Sequence, residues 1–105
     1  MSCVQHNIDE NKLTVIFQDS KIMDDSLIVK IGEEVLSLID MQSFSECILD
    51  FSHVEYISSS MIGKIIGINK KSKEKNIKVI LKSANENIKE IFQITKLEKF
   101  FTFID

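Results

Sequence analysis

The stretch HVEYISSSMIGKII, from His53 to Ile66, decides the fold because it joins a predicted strand to a predicted helix. The run Cys47-Ile-Leu-Asp-Phe51 just before it is short and almost continuously apolar, as is typical of a strand covered on both faces. Three consecutive serines, Ser58, Ser59 and Ser60, stand at the junction. One serine is enough to cap a helix, so the other two raise the question of a function.

The helix that follows the serines is predicted to run to about Lys75, with Asn76 as its C-cap. Gly63 and Gly67 lie four residues apart and each costs about 1 kcal/mol relative to alanine in a helix interior. This spacing predicts close packing of the helix against the sheet. Apolar periodicity predicts a buried face of Ile62, Ile65, Ile66 and Asn69, with Met61 and Ile68 beside it.

Upstream, Leu13–Phe17 is apolar and β-branched and predicts a strand. Residues 3–8 are expected to pair with it as a hairpin. The run Asp24-Asp25-Ser26 offers N-cap chemistry for a first helix over about 25–40. Its inward stripe is predicted to be Ile28, Ile31, Val35 and Leu38, widened by Leu27 and Ile39.

Downstream, Ile77–Leu81 predicts another strand, and Ser83-Ala-Asn-Glu86 has capping-box spacing for a third helix over 86–94. Strands that alternate with helices imply a largely parallel sheet with an antiparallel edge. The predicted fold is therefore an α/β mixed sheet of four to five strands, in the order β-β-α-β-α-β-α. Apolar residues expected inside are Ile88, Ile91 and Phe92 in the third helix, and Leu97, Phe100, Phe101 and Phe103 in the tail.

Length and composition indicate how many domains the chain forms and in which compartment it is expected. A chain of 105 residues with 44% hydrophobic residues predicts one domain over 1–105 with a real core. No apolar run is long enough to span a membrane, and the first residues lack the pattern of a signal peptide. Cys3 and Cys47 do not form a CxxC pair, so reduced thiols and a cytoplasmic location are expected.

The net charge of −3 hides an asymmetry between the two halves of the chain. Residues 1–55 carry 3 lysines against 11 acidic residues, and residues 56–105 carry 10 lysines against 5 acidic residues. Seven of these lysines fall between Lys64 and Lys82. The sequence contains no arginine, and no aromatic residue stands among these lysines, so a solvated helix end is favoured over a nucleic-acid site.

The residue types exclude several kinds of chemistry. The only histidines, His6 and His53, have no partner at metal-ligand spacing, and no glycine-rich phosphate loop is present, so neither a metal nor a cofactor is expected. A small hydrolase with Ser59, His53 and Asp50 is a minor alternative. All three residues surround one strand end and no GxSxG motif is present, so Asp50 is expected to bond the following turn instead.

The three serines admit two interpretations. In the first, Ser58 or Ser59 caps the helix and the others are ordinary polar residues. In the second, an exposed hydroxyl at the helix N-terminus accepts phosphate, because free N–H groups and the helix dipole favour negative charge there. The chemistry of the residues alone leaves both open.

The segment ILDFSHVEYISSSMIGKIIGINKK, residues 48–71, resembles the centre of STAS domains, the family of bacterial anti-sigma factor antagonists. That family combines an apolar strand ending Asp-hydrophobic-Ser, a segment like Phe-hydrophobic-Asp-Ser-Ser-Gly-Leu-Gly, and an amphipathic helix. Here the pattern is Asp50-Phe-Ser52 and then Tyr56 to Gly63. The tail KSANENIKEIFQITKLEKFFTFID is similar to the family's C-terminal helix and final apolar segment, so the resemblance covers nearly the whole chain.

Matched position by position, the family's phosphorylated serine corresponds to Ser59. The aspartate that precedes it in the family is Ser58 here, and the glycine two residues after it is Met61. The family's aspartate near the phosphorylation site corresponds to Asp24. The resemblance implies phosphorylation at Ser59 and a partner-binding surface comprising Asp24, Ser58, Ser60, Met61 and Lys64.

The implied function is that of a non-enzymatic regulatory binding module. Its expected partner is an anti-sigma factor or serine kinase of histidine-kinase-like ATPase fold, and a phosphatase is expected to reverse the modification. ATP and magnesium would belong to the kinase, and Ser59 would be its substrate. The alternative is a STAS scaffold in a larger signalling or transporter complex that is never phosphorylated, which the departures at Ser58 and Met61 favour.

Overall fold

The computed structural model of the chain describes residues 3–105, in which strands and helices alternate. The helices are α1 (Asp25–Ile39), α2 (Ser59–Glu74) and α3 (Glu86–Ile94). A short 3₁₀ turn, Glu98–Phe100, follows α3. The strands are β1 (Val4–Asp9), β2 (Lys12–Phe17), β3 (Lys21–Ile22), β4 (Glu46–Asp50), β5 (Tyr56–Ile57), β6 (Lys78–Lys82) and β7 (Thr102–Ile104).

The main sheet has five strands in the order β1-β2-β4-β6-β7. β1 and β2 form an antiparallel hairpin, and every other neighbouring pair is parallel. The predicted mixed α/β sheet is thus confirmed, with β7 as its fifth strand, formed by part of the predicted apolar tail. β3 and β5 form a separate parallel pair of two residues each, which the sequence patterns did not predict.

The core lies between one face of the main sheet and the three helices. The chain crosses from β2 to β4, β6 and β7 in one direction, and right-handed crossovers of that kind place all the intervening helices on the same face. Side chains alternate between faces along a strand, so this face carries Leu13, Val15, Phe17, Cys47, Leu49, Val79 and Leu81, all of them in the core. The opposite face carries Thr14, Ile16, Ile48 and Ile80, none of them in that cluster.

The helix ends follow local side-chain chemistry. Asp24, Ser58 and Asn85 are the N-caps of α1, α2 and α3, and each side chain accepts a hydrogen bond from the N–H three residues on. The expectation that Ser83 opens α3 is wrong, because Ser83 has a φ of 58° and Asn85 performs the capping. Asn76 directly follows the C-cap Lys75 and has a φ of 60°, the left-handed conformation that often ends a helix.

The predicted buried face of α2 is rotated from the observed one. Ile66 is 41% exposed and Asn69 is only half-buried, whereas Met61, Ile62, Ile65, Ile68 and Ser72 are buried. Gly63 and Gly67 therefore lie on the exposed side, and a Cβ added at either would meet no atom within 4 Å. The prediction that these glycines pack closely against the sheet is wrong.

The C-terminal segment is held by aromatic packing. The Phe92 ring is fully buried and meets Phe101 and Phe103 edge to face, with ring centroids 5.3 and 5.4 Å away. Such geometry suits the quadrupoles of aromatic rings. Phe100 does not take part: its side chain is 58% exposed, so the expectation that all the tail phenylalanines point inward is wrong at this residue.

Candidate functional site

The two-stranded sheet β3–β5 sets the geometry of the candidate site. Ile22 pairs with Ile57, and the Ser58 N–H donates to the Ile22 carbonyl at 3.1 Å. α1 begins three residues after Ile22 and α2 begins two residues after Ile57. The N-termini of α1 and α2 therefore lie beside each other, at the end of the parallel sheet where strand carboxyl termini meet helix starts.

The three serines have different structural roles. The Ser58 hydroxyl is half-buried and accepts from the Met61 N–H at 3.3 Å, so Ser58 is the cap of the two candidates, Ser58 and Ser59, that the sequence offered. Ser59 is the first residue of α2 and is exposed. Ser60 follows it and is also exposed. No hydrogen bond ties the hydroxyl of Ser59 or Ser60 to another of the residues 3–105.

Asp24 lies at the start of the neighbouring helix and is exposed. Its carboxylate accepts from the Ser26 hydroxyl at 2.6 Å and from the Leu27 N–H at 3.0 Å. These bonds hold the pKa of Asp24 below its usual range, with the Ser26 bond the larger cause. A fixed negative charge therefore stands beside the start of α2 at neutral pH.

Two of the residues expected to bind a partner, Met61 and Lys64, make contacts within the domain and are not fully exposed. Met61 is 0% exposed and packs in the core, so it supports the start of α2 from inside and is not part of the surface. Lys64 is half-buried, and its side chain lies across Gly32 of α1. The exposed part of the predicted site is thus formed by Asp24, Ser59 and Ser60.

Two exposed apolar side chains that the sequence patterns did not predict adjoin the candidate site. Met23 is 53% exposed and Tyr56 is 45% exposed. Tyr56 belongs to β5 and Met23 directly follows β3, and in this strand pair Ile22 and Ile57 are buried whereas Lys21 is exposed. The alternation of buried Ile57 with Tyr56 was the available signal, but a two-residue strand is too short for that pattern to be recognised.

The alternative catalytic arrangement is not assembled. The Asp50 carboxylate accepts from the Ser52 N–H at 2.8 Å, as expected of a residue that closes the following turn. His53 is exposed, and no hydrogen bond joins His53 to Ser59 or Asp50 in the part of the chain that the structure describes. Within residues 3–105, no three His, Cys, Asp or Glu side chains lie together as a metal site.

The two cysteines differ in environment. Cys47 lies in the core, and burial raises the pKa of its thiol to about 12. Cys3 is half-buried near the chain start, and both thiols are free. Among the described residues, no helix is both long and apolar enough to cross a bilayer.

The comparisons with known proteins agree with this architecture. The STAS domain family model matches residues 5–105, so the chain belongs to the STAS domain family. A candidate anti-sigma factor antagonist from Thermotoga maritima is 22% identical with a TM-score of 0.82, over 97% of this chain and 86% of that one. These values show a shared fold.

The anti-sigma factor antagonist SpoIIAA has the same fold in two states. Its unphosphorylated form matches with a TM-score of 0.74 at 14% identity, over 97% of this chain and 86% of that one. The phosphorylated form, from Bacillus, matches with a TM-score of 0.73 at 14% identity, over 95% of this chain and 89% of that one. The similarity to anti-sigma factor antagonists is therefore one of fold, at low sequence identity.

Proposed function

We propose that this STAS domain is a regulatory binding module of the anti-sigma factor antagonist kind, switched by phosphorylation of Ser59. The observation that carries the proposal is the division of roles between adjacent serines. Ser58 supplies the helix cap, which leaves the Ser59 hydroxyl exposed and without an internal hydrogen bond. Modification of Ser59 therefore removes no contact that holds the domain together.

The proposed partner is a serine kinase or anti-sigma factor of histidine-kinase-like ATPase fold. The Ser59 oxygen attacks the γ-phosphorus of the partner's ATP, the bond from that phosphorus to the ADP oxygen breaks, and the hydroxyl proton passes to a base of the partner. ATP and magnesium belong to that partner. A phosphatase returns Ser59 to the hydroxyl form by transferring the phosphoryl group to water.

The electrostatic setting favours a folded phosphorylated form with altered binding. A phosphate at the first residue of α2 meets free N–H groups and the positive end of the helix dipole, so it is compatible with the fold. It also brings a charge of about −1.5 to −2 next to the carboxylate of Asp24, on the adjacent helix start. An interface that held the Asp24 carboxylate and a neutral hydroxyl would then have to accommodate this second negative charge.

The surface around Ser59 suits a protein partner. Met23 and Tyr56 add apolar area beside the polar residues Asp24 and Ser60. Large amphipathic side chains such as tyrosine are often the energetic centre of an interface. We therefore include Met23 and Tyr56 in the proposed binding surface, together with Asp24, Ser59 and Ser60.

The departures from the family pattern are compatible with this function. Serine and aspartate are both strong N-cap residues, so Ser58 performs the capping that an aspartate would perform. Met61 is buried, so the change from the family's glycine alters the core and leaves the surface of the site as it is. Neither departure therefore favours the unphosphorylated scaffold over the switch.

Binding to the native partner tests the proposal. Ser59→Asp is expected to keep the thermal midpoint of the wild type and to weaken binding by about 30-fold or more, since an unpaired charge in a desolvated interface costs about 2–5 kcal/mol. Ser59→Ala is expected to bind normally. Ser43→Asp is the matched control, because Ser43 is exposed in the loop before β4, at the opposite end of the sheet. Undiminished binding of Ser59→Asp would contradict the switch and favour the scaffold.

A further inference from the structure

A second surface feature lies away from the Ser59 site, along the C-terminal half of α2. It is a groove of about 320 Å³ between α2 and the segment that follows α3. Its apolar wall includes two large side chains that face solvent, Ile66 at 41% and Phe100 at 58% exposure. The residues that line it are Ile66, Asn69, Lys70, Lys73, Leu97, Phe100 and Phe101.

The groove combines this apolar wall with positive charge along one side. Lys70 and Lys73 both come from α2, and no carboxylate of residues 3–105 lies within 4 Å of either ammonium group. The ion pair that the described residues do contain joins Lys75 to Asp40 at 2.7 Å, outside the groove. The two lysines are therefore available to an anionic ligand.

We propose that this groove binds a straight-chain carboxylate. The alkyl chain lies against Ile66, Leu97 and Phe100, and the carboxylate meets the ammonium groups of Lys70 and Lys73. Both parts of such a ligand would be stabilised in the groove. The hydrophobic effect favours burial of the alkyl chain, and the carboxylate can form charge-assisted hydrogen bonds with the two ammonium groups.

The dimensions favour a small ligand over a protein segment. Ile66 and Lys73 are seven residues apart, about 10 Å along the helix axis. The volume of about 320 Å³ falls at the lower end of small-molecule sites. A stable protein interface needs about 800 Å² from each partner, more than a groove of two helical turns offers. A protein partner remains a distinguishable outcome, since its binding would not depend on alkyl chain length.

The test is a titration of the ¹⁵N-labelled protein with hexanoate, octanoate and decanoate, followed by amide chemical shifts. We expect saturable shifts at Ile66, Lys70 and Phe100, and no saturable shift at Ser59. Affinity should increase about 15-fold for each two added carbons, because each buried CH₂ contributes about 0.8 kcal/mol. Decyltrimethylammonium, with the opposite charge, should bind at least 10-fold more weakly than decanoate.

Variants separate the two halves of the groove. The double variant Lys70→Gln with Lys73→Gln should weaken decanoate binding while leaving binding of decanol unchanged. Ile66→Ser should weaken both ligands, and it should fold normally because Ile66 is already partly exposed. Lys71→Gln is the matched control, since Lys71 is exposed on the same helix and does not line this groove.

Three results would overturn the proposal. The first is the absence of saturable shifts at the groove residues with any of the carboxylates. The second is equal affinity for decanoate and decyltrimethylammonium, which would show that the lysines take no part. The third is an equal loss of binding in Lys71→Gln and in the double lysine variant. None of these results bears on Ser59, so the two proposals fail independently.

Discussion

The side chain of Lys64 lies directly over Gly32, so α1 and α2 meet where α1 has no side chain. A Cβ added at Gly32 would be 2.5 Å from Lys64 Cδ and 2.8 Å from its Cε. Gly32 is buried within α1, and the end of the Lys64 side chain covers it, with Nζ only 3.1 Å from the position of an added Cβ. The glycine that permits close helix packing is therefore in α1.

Replacement of Gly63 or Gly67 by alanine is expected to stabilise the protein. Neither position has an atom within 4 Å of an added Cβ, and both lie inside α2. Alanine should therefore raise the free energy of unfolding by about 1 kcal/mol at each position, the difference in helix propensity. Urea denaturation of the two variants measures this gain.

Gly32→Ala is the control for that measurement. Its gain should be smaller, because the end of the Lys64 side chain must move before the new methyl group fits. A loss of stability in Gly63→Ala or Gly67→Ala would show that this side of α2 is packed, contrary to the structure.

Ser58→Ala and Ser59→Ala should differ in stability although the residues are adjacent. Loss of the Ser58 cap leaves the Met61 N–H without its side-chain acceptor, which should cost about 0.5–2 kcal/mol in the free energy of unfolding. Ser59→Ala removes no hydrogen bond and should change stability by less than about 0.5 kcal/mol. Chemical denaturation compares them, with Ser58→Asp expected to restore the cap. Equal effects of the two alanine variants would contradict the assigned roles.

The two thiols should react at very different rates. Burial raises the pKa of the Cys47 thiol to about 12, so almost no thiolate forms at neutral pH. The thiol is also fully buried, so an alkylating reagent cannot reach it in the folded protein. Alkylation of the native protein should therefore modify Cys3 alone, whereas alkylation in denaturant should modify both. Mass spectrometry after a timed reaction gives the ratio. Modification of native Cys47 at the rate of Cys3 would mean that the core opens at β4.

Much of the fold is predictable because its signals are local. The three helices follow from apolar periodicity and from the capping residues Asp24 and Ser58, and the hairpin and parallel strands follow from β-branched runs. The bounds of α3 were predicted correctly as 86–94, but the cap is Asn85 and not Ser83. Both are good cap residues. Only tertiary structure decides between them.

The errors have physical reasons. The segment from Ile62 to Ile68 has apolar residues in several directions around the helix, so periodicity alone does not fix which side is buried. For that reason Ile66 was predicted to be buried, and Gly63 and Gly67 were predicted to pack against the sheet. β3 and β5 pair over two residues each, which leaves no periodic signal in the sequence. The sequence around Gly32 did not indicate close helix packing either, because its contact is with the side chain of Lys64 on α2.

For the proposed binding surface, the sequence predicted the polar residues Asp24, Ser59 and Ser60 but not the exposed apolar residues Met23 and Tyr56. Ser59 and Asp24 were named from the resemblance, and the role of Ser58 followed from capping chemistry. Met23 and Tyr56 were missed because single exposed apolar residues are common on protein surfaces. Their significance depends on where β3 and β5 bring them together, beside the starts of α1 and α2.

The most direct test of the central proposal is to locate the phosphoryl group after co-expression with the native partner kinase. Peptide mass spectrometry separates Ser58, Ser59 and Ser60 within the segment 56–64, and Ser59→Ala and Ser60→Ala are the matched variants. We expect one phosphoryl group on Ser59 in the wild type, the same in Ser60→Ala, and none in Ser59→Ala. Phosphorylation of Ser59→Ala to the wild-type extent, or a wild-type protein left unmodified by an active kinase, would contradict it.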